Sequence, residues 1–240
     1  MARIFIPPER ISFEGIPLQS KEMRYLLRVL RLHPGEEVTV FDGEGREYRC
    51  VLLEEGGRFS LEVKEEREGI GDSPLRVTLA QGILKGEKMK WVIQKATELG
   101  VARIIPLATQ RSIPLLEEER GELRVQRWRR IAQEAARQSA RGTVPQIEAI
   151  STLRDISKEG KGLLLWEEGE TPLREVLRGW KRGGEVTVII GPEGGLAEEE
   201  VMEGERMGYQ VATLGKRILR AETAALSVLS ILQYLLGDLG

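Results

Sequence analysis

Val186-Thr187-Val188-Ile189-Ile190-Gly191-Pro192-Glu193-Gly194-Gly195 decides how the chain is read. The β-branched run suits a strand buried on both faces of a parallel sheet. The glycine-flanked turn ends it, and Glu198, Glu199 and Glu200 supply the acidic bias of a helix's first turn, where the helix dipole is positive. A second loop of the same kind follows: Leu214-Gly215-Lys216-Arg217-Ile218-Leu219-Arg220-Ala221-Glu222-Thr223-Ala224, again between a short apolar run and a helix. Such strand-loop-helix stretches mark a ligand crevice at the carboxyl ends of strands. Taken alone, GPEGG also reads as a tight turn with no ligand. Two such loops together favour the crevice.

A nucleotide phosphate is the default ligand of a Gly-rich loop opening a helix. The charges oppose it, because Glu193 and the three glutamates beyond it would repel a phosphate. Neither G-x-G-x-x-G nor G-x-x-x-x-G-K-[ST] occurs in the chain. An adenosine with a positive centre and no phosphate fits better, which describes S-adenosylmethionine.

These two loops, with Lys85-Gly86-Glu87-Lys88-Met89 and Gln94-Lys95-Ala96-Thr97-Glu98-Leu99-Gly100-Val101, resemble the RsmE family of ribosomal RNA methyltransferases across nearly the whole chain. The resemblance implies an α/β fold: a SPOUT-type domain with a parallel sheet and a deep trefoil knot, preceded by a PUA-like β-barrel. It also implies a homodimer, S-adenosylmethionine as cofactor, and methylation of N3 of one uridine in 16S ribosomal RNA of the small ribosomal subunit. Through it, Leu165, Gly191, Pro192, Glu193, Gly194, Leu214, Gly215, Ile218, Leu219, Thr223 and Ala224 are expected around the cofactor. Arg111 also matches a family position and is expected at RNA. Tyr25 departs from the family, where many relatives have a histidine.

The polar stretch Glu65 to Pro74 reads as a linker, dividing a barrel domain at 1–70 from a methyltransferase domain at 74–240. Before it, Val38–Phe41, Tyr48–Leu53 and Phe59–Val63 are strand-like, separated by turn residues, and a helix from Lys21 to Arg31 is capped by Ser20. After it, strands at Leu75–Ala80, Arg103–Leu107 and Leu163–Trp166 alternate with helices, one of them beginning at Thr171-Pro172. The last helix, Ala221 to Leu236, is apolar on nearly every side and is expected to be buried all round, in a core or a dimer interface.

Hydrophobic residues at 41% and charged residues at 31% exclude a disordered chain. One cysteine and one histidine cannot make a zinc site, so no metal is expected. No signal peptide or membrane-spanning run is visible, which points to the cytoplasm and no membrane partner. The net charge is only −2, yet Arg120 to Arg141 holds seven arginines against Glu122 and Glu134. Arg127, Arg130, Arg137 and Arg141 fall within about 80° of a helical wheel at 100° per residue. They face away from Val125, Trp128, Ala132 and Ala135, as RNA-binding residues would. Lys21, Arg24, Arg28 and Arg31 form a smaller set on the N-terminal helix, its three arginines expected at RNA. A solvated helix face is the bland alternative for both.

Carbon methylation of a pyrimidine needs a cysteine nucleophile, and Cys50 lies in a strand-like run, where it reads as a buried apolar residue. Nitrogen or oxygen is therefore the expected acceptor. Arg220 is expected to orient the base or a phosphate, and Glu222 or a bound water to take the N3 proton. A structural Arg220–Glu222 ion pair is the alternative. His33 is expected at the surface. Competing readings are a SPOUT enzyme acting on a ribose 2'-oxygen or on transfer RNA, and a non-catalytic RNA-binding protein, which would need degraded cofactor loops.

Overall fold

The computed structural model describes residues 2–112 and 118–240. It divides into two compact units, Met1–Asp72 with Ala136–Val144, and Ser73–Ala135 with Pro145–Gly240.

The first unit is built on β1 (Ala2–Phe5), β2 (Ile16–Pro17), β3 (Glu37–Phe41), β4 (Arg46–Glu55) and β5 (Arg58–Glu68), in the order β1-β3-β4-β5-β2. The sheet curls as a half-barrel of the expected PUA-like kind. Its first strand pairs parallel with β3, and the other pairs are antiparallel. Ile4, Ile6, Ile16, Leu26, Val40, Leu52 and Leu61 fill the core with Cys50, whose thiol burial pushes up to about 12. That matches its reading as an inert apolar residue.

Two local expectations are corrected. Residues Glu65 to Glu68 are strand rather than linker, because opposite charges face each other across the hairpin: Arg46 pairs with Glu66 and Arg49 with Glu65. The N-terminal helix is shorter and wider than expected, with α1 (Ser20–Met23) running into a π-helical stretch over Arg24–Val29. Its cap is Gln19, not Ser20, and the Glu22 carboxylate accepts the Gln19 N–H at 2.7 Å.

The returning segment at 136–144 closes this unit. Val144 N–H donates to Gly43 O at 2.9 Å, Arg141 donates to Asp72 at 2.8 Å, and the Arg137 guanidinium lies 4.5 Å from the Tyr25 ring centroid.

The second unit alternates strands and helices: β6 (Leu75–Gly82), α2 (Lys88–Glu98), β7 (Arg103–Leu107), α3 (Glu118–Gln138), β8 (Gln146–Ile147) and β9 (Lys161–Leu165). Then come α4 (Leu173–Val176), β10 (Gly184–Ile190), α5 (Glu198–Arg206), β11 (Tyr209–Ala212) and α6 (Ala221–Leu236). All six strands are parallel, in the order β11-β9-β10-β6-β7-β8. The β-branched β10 is paired on both sides, as its sequence implies.

Helix α6 packs against α2 and β6 through Ala225, Val228, Leu229, Leu232 and Leu236. It is not buried all round, because Ile231, Tyr234 and Leu235 stand 37%, 66% and 52% exposed. Among the described residues no helix is long and apolar enough to cross a membrane.

Candidate functional site

In the parallel sheet β9, β10 and β11 are neighbours whose chains run the same way, so their carboxyl ends and following loops share one edge. They enclose a cavity of about 570 Å³. Leu165, Gly191, Pro192, Glu193, Leu214, Gly215, Ile218, Leu219 and Ala224 line it, whereas Gly194 and Thr223 do not.

The floor depends on close backbone packing. A Cβ on Gly82, at the end of β6, would come within 2.5 Å of Pro192 N and 2.8 Å of Gly191 C. The buried Gln81 amide beside it donates to Gly82 O at 3.1 Å and Gly191 O at 3.2 Å, tying β6 to the GPEGG loop. Gly195 turns at φ +72°, and a Cβ there would strike the Glu167 carboxylate.

Three charges meet beside the cavity, which Lys88 and Glu193 line and Glu222 does not. The Lys88 ammonium lies 3.2 Å from Glu193 Oε1 and 3.7 Å from Glu222 Oε1. Glu193 also accepts the Lys85 N–H at 3.0 Å. Burial opposes its charge, but backbone N–H groups of Glu193 and Lys85, together with Lys88, outweigh it and hold the carboxyl below the usual range. The expected alternative of an Arg220–Glu222 pair is not formed, since Lys88 takes Glu222. Arg220 is exposed, lines the cavity and makes no ion pair among the described residues. Glu222 Oε2 is buried with no hydrogen-bond partner among the described residues. A buried unsatisfied acceptor costs about 1–3 kcal/mol.

The candidate RNA residues scatter. Arg24, Arg28 and Arg31 are exposed on the first unit. Arg111 donates to Gly194 O at 3.0 Å, beside the cavity loop. Arg127 and Arg130 are exposed on α3, opposite the buried Val125, Trp128, Ala132 and Ala135. The stripe ends there: Arg137 lies half-buried against Tyr25, and Arg141 falls beyond the helix, buried on Asp72 and Thr143. The Arg120 side chain lies outside the described residues. His33 is exposed, as expected.

Lys88, Trp166 and Glu167 line the site, and Gln81 and Gly82 pack behind it, without a motif in the sequence that assigns them a role there. A signal existed for Lys88. A lysine in the first turn of a helix opposes the dipole and implies acidic partners.

Comparison with known proteins gives a consistent picture. The family model described as RNA methyltransferase domain matches residues 71–233, and the one described as RNA methyltransferase PUA domain matches residues 18–66. The chain is 31% identical to ribosomal RNA small subunit methyltransferase E of Bacillus subtilis (strain 168), covering 98% of this chain and 96% of that protein. It is 35% identical to the protein of that name from Synechocystis, covering 98% and 78%. Among solved structures, ribosomal RNA small subunit methyltransferase E from Neisseria gonorrhoeae, bound to S-adenosyl methionine, superposes with a TM-score of 0.87 at 34% identity and full coverage of both chains. A Legionella pneumophila protein described as a methyltransferase, in complex with the same cofactor, gives 0.89 at 33% identity over 99% and 98%.

Proposed function

This chain belongs to the RNA methyltransferase family that includes ribosomal RNA small subunit methyltransferase E, and from that premise we propose that it methylates N3 of a uridine in 16S ribosomal RNA. The observation that carries the reading is the cavity formed by the two glycine loops. It suits S-adenosylmethionine. Leu165, Ile190, Leu214, Leu219 and Ala224 give apolar surface for adenine, and Gly191 and Gly215 leave backbone accessible. Threading of these loops through one another as a trefoil knot is part of the proposal, as the family resemblance implies.

When bound, S-adenosylmethionine supplies the methyl group from its sulfonium. The protein's part is alignment and proton removal. Glu222 Oε2 accepts the N3 proton of uridine, freeing the nitrogen lone pair to attack. Lys88 holds Glu222 through its other oxygen, and Arg220 orients the base or an adjoining phosphate with its planar fork. Arg24, Arg28, Arg31, Arg111, Arg127 and Arg130 are the proposed RNA contacts, and the cytoplasm is the proposed place of work.

The purified protein should transfer one methyl group to 16S ribosomal RNA lacking that modification, and mass spectrometry of the digested RNA should place it on uridine N3. A 2'-O-methyl nucleoside, or modified transfer RNA instead, would refute the assignment.

A homodimer through α6 is a further part of the proposal, supported by the exposure of Ile231, Tyr234 and Leu235. Light scattering should give twice the 27.0 kDa chain mass. Joint replacement of Tyr234 and Leu235 by Lys should give the monomer mass. A dimer that survives that change rules out this face.

A further inference from the structure

The first turn of α2 has two sides. Lys88 faces the cofactor cavity, and Lys90 faces a second cavity of about 130 Å³ between α2 and α3. Glu87, Lys90, Arg124, Arg127 and Trp128 surround it over Met89. The volume admits a single small group rather than a helix of RNA. Its electrostatics are lopsided, with three cations against one carboxylate. The Lys90 side chain is only 19% exposed, and both oxygens of Glu87 hold it. Glu87 is 82% exposed and so is free to swing away. Its carboxyl is held below the usual range by the Lys90 hydrogen bond, against burial and with help from the charges of Lys90 and Arg127. Arg124 leans over the largely buried Trp128 ring, 5.8 Å from the centroid, which makes a flat cationic wall.

We infer that this cleft is a subsite for one phosphodiester of the substrate RNA. Glu87 occupies it as an intramolecular stand-in for the phosphate. When RNA arrives, the phosphate takes Lys90 and Arg127 and the carboxylate moves to solvent, while Arg124 supports the phosphate or the base that follows it. Lys88 and Lys90 are separated by about 3 Å of helix rise and about 200° of turn, so the two cavities open on opposite sides of α2. The inference rests on the RNA-methylation reading and adds a recognition site to it.

Two variants of opposite expected sign test it, each assayed for methyl transfer to unmodified 16S ribosomal RNA at several salt concentrations. Arg124→Gln should raise KM for RNA by about fivefold to tenfold and flatten log affinity against log salt by roughly 0.7 to 0.9. Glu87→Gln removes the competing anion and should lower KM severalfold. S-adenosylmethionine affinity and kcat should hold in both. A KM unmoved in either variant, a shift in the same direction in both, or a loss of cofactor binding would overturn the subsite. Absence of transfer by the wild-type protein would instead refute the underlying assignment, and it is visible before any variant is made.

Discussion

Gly82→Ala is expected to weaken S-adenosylmethionine binding by one to two orders of magnitude. The added methyl would meet Pro192 N and Gly191 C, backbone atoms that move only if the GPEGG loop moves. Overpacking of this kind costs roughly 1–3 kcal/mol, and here the displaced element is the cavity floor, so the cost falls on ligand affinity as well as stability. Gln81, which bonds both Gly82 O and Gly191 O, would lose its geometry in the same step. Gly71→Ala is the control, because a Cβ there meets nothing within 4 Å and the change should stay within about 0.5 kcal/mol. Calorimetric titration with the cofactor beside a thermal melt measures both effects. Wild-type affinity in Gly82→Ala would show that the loop tolerates displacement and that the close approach is not what shapes the cavity.

Glu222→Gln should reduce kcat by about 10²- to 10⁴-fold, the range for loss of a positioned proton acceptor. The amide keeps the shape and an acceptor oxygen near Lys88 but cannot take the N3 proton. Cofactor affinity and KM for RNA should change little, which separates this loss from the Gly82 effect. Arg220→Ala should lower kcat without restoring any Glu222 function, since the two side chains do not pair. Full turnover by Glu222→Gln would move proton removal to water and leave the buried Oε2 without a chemical role.

Local patterns carried much of the fold. Val186 to Ile190 and the apolar runs at Leu75, Arg103 and Leu163 are short β-branched or aliphatic segments between turn residues, and each is a strand of the parallel sheet. What escaped depends on partners distant in sequence. The Glu65–Glu68 stretch reads as linker because strand formation there draws on Arg46 and Arg49 across a hairpin. Arg141 reads as part of a helix face because helical periodicity cannot show that the helix ends at Gln138 or that Asp72 waits beyond it. Arg220 and Glu222, two residues apart, suggest each other as partners, whereas the packing of α6 on α2 delivers Lys88 instead. The exposed side of α6 escaped because apolar composition alone does not distinguish a helix buried all round from one with a side left open.

The return of residues 136–144 to the first unit bears on how the protein is made. As the ribosome releases the chain, the sheet strands are complete by Glu68, but Asp72 must wait for Arg141, and Gly43 for Val144. The amino-terminal unit therefore finishes folding only after synthesis has passed through Ser73–Ala135 of the second one, and its late contacts span a long loop with a slow closure step. A fragment cut at the visible boundary near residue 72 would emerge with an unclosed edge around Gly43 to Gly45. Expression of this unit in isolation would need the distant nine-residue piece grafted on or supplied in trans.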